Sequence, residues 1–116
     1  MTSRTLIAAA LVLGFAPNAF AHAFLQHASP GAGDILAGAP KEIVLDFTKP
    51  LDPAGSGVAV TDASGNDMEA AQAVVDGADI RVALKPLAAG SYHVAWRALS
   101  TDTHETQGAY SFTIKP

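Results

Sequence analysis

The chain has 116 residues, no cysteine and a formal charge of −4 at pH 7. That length suits one small domain with a single thin core. The absence of cysteine excludes disulfides, thiolate metal sites and cysteine nucleophiles, and the acidic balance argues against nucleic acid and anionic membrane surfaces as partners.

Residues 1–21 read as a secretory signal. Arg4 supplies a positive start, the apolar run TLIAAALVLGFA is too short to span a bilayer, and Ala19-Phe20-Ala21 fits a small-x-small cleavage site. A short membrane anchor or a buried helix is the competing reading, and the Pro17-Asn18 break just after the run argues against both. Cleavage after Ala21 makes His22 the first residue of a mature domain spanning residues 22–116. An α-amino group and an imidazole then lie on the same residue. The mature part keeps all 11 acidic residues and loses Arg4, so it is more acidic than the whole and suited to cations. It holds no second apolar run long enough to cross a membrane.

Beyond His22 the pattern is one of short alternating segments broken by turn residues. ASPGAGDILAGAP reads as a turn-rich connection. EIVLDF puts Ile43, Leu45 and Phe47 on one face. KPLDPAGSG is a second turn-rich connection, and GVAVTD pairs Val58 with Val60 before the turn DASGN. In MEAAQAVVDG a helix is allowed by propensity, but a loop followed by a strand over Ala73–Val75 fits the neighbouring pattern better. DGAD turns into DIRVAL, where Ile80, Val82 and Leu84 alternate with Asp79, Arg81 and Ala83. YHVAWRAL alternates Tyr92, Val94, Trp96 and Ala98 with His93, Ala95, Arg97 and Leu99, and AYSFTI alternates Tyr110, Phe112 and Ile114. A period of two throughout, with turns at close intervals, predicts an all-β sandwich or barrel.

The four histidines carry the chemistry: His22, His27, His93 and His104. In the loop STDTHETQG, Asp102 and His104 stand two apart. An extended segment would send both side chains to one side, where a carboxylate oxygen and an imidazole nitrogen can converge on one ion. The competing reading is a polar turn with Asp102 bound to nearby backbone N–H groups. His93 reads as a solvent-facing strand residue and Trp96 as a core anchor. His27 reads as a surface residue near the first turn, with an extra metal ligand as the alternative. Arg97 is assigned a carboxylate partner, Asp102 or Glu105.

The chain resembles the CopC family of periplasmic copper-resistance proteins. The resemblance rests on His22 at the expected mature terminus, ASPGAG, IVLDFTKPL, GVAVTDASG and LAAGSYHVAWRALSTDTHETQGAYSFTI, and it covers residues 22–116. It implies a Greek-key β-sandwich or barrel, immunoglobulin-like or cupredoxin-like, and Cu(II) held by His22 through both amine and ring, by Asp102 and by His104. The chemistry agrees. Amine and near ring nitrogen close a six-membered chelate, His104 adds an imidazole and Asp102 an anionic oxygen, and such a tetragonal set suits Cu(II). Zinc accepts the same donors but prefers a tetrahedron. The implied role is sequestering copper in the periplasm or handing it to a CopD-type inner-membrane copper transporter, with no catalysis, no small-molecule substrate and no nucleic acid. Two competing readings are a copper monooxygenase built on a histidine brace and a metal-free immunoglobulin-like adhesion module. The chain departs from some relatives in two ways. Its only methionines are Met1 and Met68, too few for a Met-rich Cu(I) site, and Lys49 stands in DFTKPL where a family member can carry an acidic residue.

Overall fold

The computed structural model describes residues 22–116, so the expected leader lies outside the described residues. The alternation becomes eight strands: β1 (Leu25–Ser29), β2 (Ile35–Leu36), β3 (Glu42–Phe47), β4 (Gly57–Asp62), β5 (Val74–Asp76), β6 (Asp79–Ala83), β7 (Gly90–Leu99) and β8 (Glu105–Ile114). They form two four-stranded sheets, ordered β1-β3-β6-β5 and β2-β8-β7-β4. Every pairing is antiparallel except that of β2 with β8. The chain changes sheet on leaving β1, β2, β3, β4 and β6, which makes the architecture a Greek-key-like sandwich rather than a closed barrel.

The core lies between the sheets and is filled by the residues whose period of two faces inward. Ile43 and Leu45 are fully buried, as are Val60, Ile80 and Val94, and Phe47 and Phe112 are 1% exposed. Burying a side chain of this size contributes about 1.5–3 kcal/mol. Between the sheets the Phe47 and Trp96 rings meet edge to face at 5.1 Å, and within the second sheet Tyr92 stacks on its register partner Phe112 at 5.5 Å. Trp96 is only partly buried, and it lies over its register partner Gly108, where a Cβ would come within 2.6 Å of Cζ2.

Turn chemistry sets the connections. Asp62 Oδ1 accepts the N–H groups of Ser64 and Asn66, both at 2.9 Å, and closes the DASGN turn. Gly77, at φ +61°, makes the tight turn between β5 and β6. MEAAQAVVDG contains no helix; its strand begins one residue later than the expected Ala73 and runs Val74–Asp76. The sequence pattern did not announce β1 or β2. β1 carries a bulge between Leu25 and His27, which breaks its alternation, and β2 is two residues long.

The β7–β8 hairpin positions the candidate site. Its loop is shorter than STDTHETQG, because Glu105 to Gly108 already belong to β8. Ser100 N–H donates to His104 O at 2.9 Å and encloses Thr101, Asp102 and Thr103. Thr103 takes the left-handed conformation, at φ +71°, as the last residue of a three-residue hairpin loop does.

Candidate metal centre

Two segments far apart in sequence meet at one end of the sandwich. The first is the stretch His22-Ala23-Phe24, which is fastened to both sheets. Ala23 is fully buried, and its carbonyl accepts the Thr106 hydroxyl from β8 at 2.7 Å. Phe24 N–H donates to Thr48 Oγ1 at 2.9 Å, and Thr48 N–H returns a bond to Phe24 O at 2.9 Å. His22 is therefore attached to a backbone with little freedom, although the residue lies outside any strand. Its ring stands 6.2 Å from that of Phe24, which is 48% exposed.

The second segment is the β7–β8 loop. Thr101 N–H donates to Pro50 O at 3.2 Å, and Thr103 N–H to Ser100 O at 2.9 Å. Asp102 and His104 do come together, but not through an extended segment with common facing. A turn with a left-handed Thr103 folds them onto each other, and His104 Nδ1 lies 3.3 Å from Asp102 Oδ1. Both side chains are about half exposed, 45% for His104 and 48% for Asp102. The Ser100 hydroxyl also bonds Asp102 Oδ1. That bond, with smaller help from His104 and from the nearby charge of Lys49, holds the Asp102 carboxyl below the ordinary Asp value.

The two segments meet through their imidazoles. The His22 and His104 rings are 5.0 Å apart, centroid to centroid, and tilted by 69°. His22, His104 and Asp102 are thus neighbours. Among the described residues no three His, Asp or Glu side chains stand close enough to hold a metal by side chains alone. In the unprocessed chain the His22 nitrogen is a peptide nitrogen; the amine donor that the sequence reading invokes appears only on cleavage.

The other flagged residues are elsewhere or do something else. His27 is exposed on β1, opposite Asp46 of β3. His93 faces solvent as expected, its Nδ1 3.4 Å from Ser111 Oγ. Arg97 does not pair with Asp102 or Glu105; its Nε donates to Gly55 O at 3.1 Å, because β7 carries it across from Gly57 and the Pro53–Gly55 turn. Ser100, Thr48 and Thr106 were not singled out from the sequence. Thr106 carried a signal: it shares the inward-facing series of β8 with Tyr110, Phe112 and Ile114, where a hydroxyl needs a partner.

Fold and cluster together define a class: a small two-sheet β-sandwich that presents two imidazoles and a carboxylate at one end. Within that class the chain belongs to the CopC family, whose CopC domain matches residues 25–115. It is 37% identical over 123 aligned residues to Copper resistance protein C of Escherichia coli, covering 97% of each protein. Among solved structures it is similar to CopC from Methylosinus trichosporium OB3b, at 36% identity and a TM-score of 0.75, covering 82% of this chain and 95% of that one. It is also similar to PcoC from Escherichia coli, described as a methionine rich copper resistance protein, at 36% identity and a TM-score of 0.70, covering 81% of this chain and 99% of that one.

Proposed function

We propose that this chain is a periplasmic Cu(II)-binding protein of copper homeostasis, with the ion as cargo. Export and cleavage after Ala21 would release His22 as a free terminus, and its amine and imidazole, Asp102 and His104 would hold one Cu(II). The observation that carries this reading is the 5.0 Å approach of the His22 and His104 rings beside Asp102. The copper-resistance relatives support the choice of metal, and so does the donor set. Nitrogen donors with one carboxylate favour Cu(II), which sits at the top of the divalent affinity order.

The oxidation state follows from the same chemistry. PcoC is described as methionine rich, whereas this chain has two methionines, one of them Met1. Met68 alone cannot assemble a soft thioether site, so Cu(I) lacks its preferred donors here. The protein then sequesters Cu(II) or passes it to a CopD-type inner-membrane transporter. No catalytic step is needed, and oxygen uptake in the presence of copper and a reductant should not exceed that of free copper.

Titration of the exported, processed protein with Cu(II), followed by electron paramagnetic resonance, tests the reading. One equivalent should give a single tetragonal type-2 signal with nitrogen couplings, altered in His22→Ala and in His104→Ala. Absence of stoichiometric binding, or a signal indifferent to both substitutions, overturns it.

A further inference from the structure

β3 ends at Phe47, and the four residues that follow it, Thr48 to Leu51, bond to both halves of the candidate centre. At the start of this segment the Thr48 hydroxyl accepts the Phe24 N–H and the Thr48 N–H donates back to Phe24 O, both at 2.9 Å. This pair of bonds fixes the backbone two residues after His22. Further along, Pro50 O accepts the N–H of Thr101, the residue before Asp102, at 3.2 Å. The segment is anchored at its far end. Leu51 is 4% exposed, its N–H donates to Gly77 O at 2.9 Å, and it forms an antiparallel bridge with Ser100. Next to it, Asp52 N–H bonds Leu99 O at 2.7 Å.

Two halves that are remote in sequence thus lean on one piece of backbone, at contact points two residues apart. The sequence of that piece makes it stiff. The Pro50 ring holds φ at about −65° and disfavours helical backbone at Lys49. Thr48 is β-branched, so few χ1 rotamers are lost when its hydroxyl is held in place. Thr106 ties Ala23 to the second sheet, and Thr48 to Leu51 supplies the tie through the first. We propose that Thr48 to Leu51 is the spacer that sets the separation of the His22 and His104 rings, with Thr48 and Pro50 as positioning residues of the copper site. The proposal rests on the Cu(II) reading above for the identity of the ion, whereas the ring separation belongs to the metal-free protein. A terminus and a loop that meet one ion bind it better when their distance is already fixed, because ordering them on binding subtracts from affinity. Thr48→Val leaves Phe24 with one of its two bonds. Thr48 is exposed, so the lost bond is worth about two- to fivefold in an equilibrium constant. Pro50→Gly keeps the carbonyl that binds Thr101 and releases the backbone that carries it.

The test begins with the metal-free processed protein. At a centroid separation of 5.0 Å the two rings should show a nuclear Overhauser contact between their protons in the wild type. The contact should weaken in Thr48→Val and in Pro50→Gly and return in Thr48→Ser. Circular dichroism should show each variant folded; where Pro50→Gly fails to fold, the Thr48 pair decides. Cu(II) affinity should fall by about two- to fivefold in the two disruptive variants. Electron paramagnetic resonance should show a mixture of Cu(II) species in place of one, and Thr48→Ser should recover both affinity and spectrum. A wild type without the ring contact overturns the proposal. So does a folded Thr48→Val protein that keeps the wild-type contact, or one that loses it yet binds Cu(II) with wild-type affinity and spectrum. If the wild type binds no Cu(II) while the ring contact responds as described, the copper reading fails and the spacing by Thr48 and Pro50 stands.

Discussion

The imidazoles of His22 and His104 approach edge-on at 5.0 Å, although one precedes β1 and the other immediately precedes β8. Nothing local brings them together. The approach depends on how the chain after His22 is fastened to Thr48 and Thr106 and on how the β7–β8 loop is closed. The predictions below probe those supports, the charges around them and the core beneath.

Thr106→Val removes the hydroxyl that meets the buried Ala23 carbonyl while keeping the side-chain shape. A buried carbonyl left without its donor costs about 1–3 kcal/mol. Part of that loss should appear as freedom of His22. Cu(II) affinity should fall by about five- to tenfold, a change of roughly 1–1.4 kcal/mol. Thr106→Ser should recover it. Competitive Cu(II) titration measures both; equal affinities for wild type and Thr106→Val would detach the Ala23 anchor from the site.

Lys49 contributes a positive charge that acts on Asp102. Near neutral pH Asp102 is ionised with or without that help, so the remaining effect of Lys49 on an incoming cation is repulsion. Lys49→Gln should tighten Cu(II) binding by a few-fold, of the order expected of about 1 kcal/mol between half-exposed charges. The gain should shrink with added salt. Affinity measured at low and high ionic strength checks this, and weaker binding by Lys49→Gln would show that the lysine supports the ion instead.

Across the outer face of the first sheet, Asp79 sits opposite Asp46 of β3 and Asp76 of β5, with Arg81 at 3.9 Å and His27 on the far side of Asp46. The hydrogen bond shared with Asp46 raises the Asp79 carboxyl above its ordinary 3.8, and desolvation and the Asp46 charge add to the effect. The fold therefore favours the protonated acid. That contribution is complete below the unfolded value of 3.8 and is lost as pH rises through the higher folded value. Asp79→Asn keeps a donor toward Asp46 without the charge. Its urea midpoint should exceed that of the wild type at pH 7, with the difference shrinking on acidification. A variant less stable than wild type at pH 7 would be the contrary result.

Gly108→Ala would place a methyl 2.6 Å from Cζ2 and 2.8 Å from Cε2 of Trp96. The indole must move, and the edge contact with Phe47 moves with it. Overpacking of this kind costs about 1–3 kcal/mol. Chemical denaturation should show the loss, and the Trp96 fluorescence maximum should shift; Trp96 is the only tryptophan, so the signal has one source.

Where one face of a strand is buried, the sequence made the fold legible. Ile43, Leu45 and Phe47, or Ile80 and Val82, alternate because one side must meet the other sheet, and these residues are at most 1% exposed. β1 and β2 obey no such pattern. β1 is bulged, and β2 exists through bonds to the distant β8, with Thr113 N–H donating to Asp34 O and Lys115 N–H to Leu36 O. Of the residues singled out by type, His104 lies against both His22 and Asp102 at one end of the sandwich. The reason given for Asp102 and His104 was wrong: they converge through a turn with Thr103 at φ +71°, a conformation that nothing in a β-branched residue announces. Arg97 was misassigned for a related cause, since the Gly55 carbonyl it binds comes from a distant loop. Ser100 looks like an ordinary turn serine in sequence; only the structure shows it buried, at 1% exposure, and bonded to both Asp102 and His104.

The central claim is that a free His22 terminus, joined by Asp102 and His104, chelates Cu(II). Its most direct test is the Cu(II) dissociation constant of the processed protein beginning at His22, measured beside the same protein carrying one additional glycine before His22. The added residue turns the chelating amine into an amide and leaves every described side chain in place. The account predicts a loss of affinity of at least about a hundredfold, together with a changed nitrogen coupling pattern, as expected when one strong nitrogen donor is removed. Equal dissociation constants and identical spectra for the two proteins would contradict it.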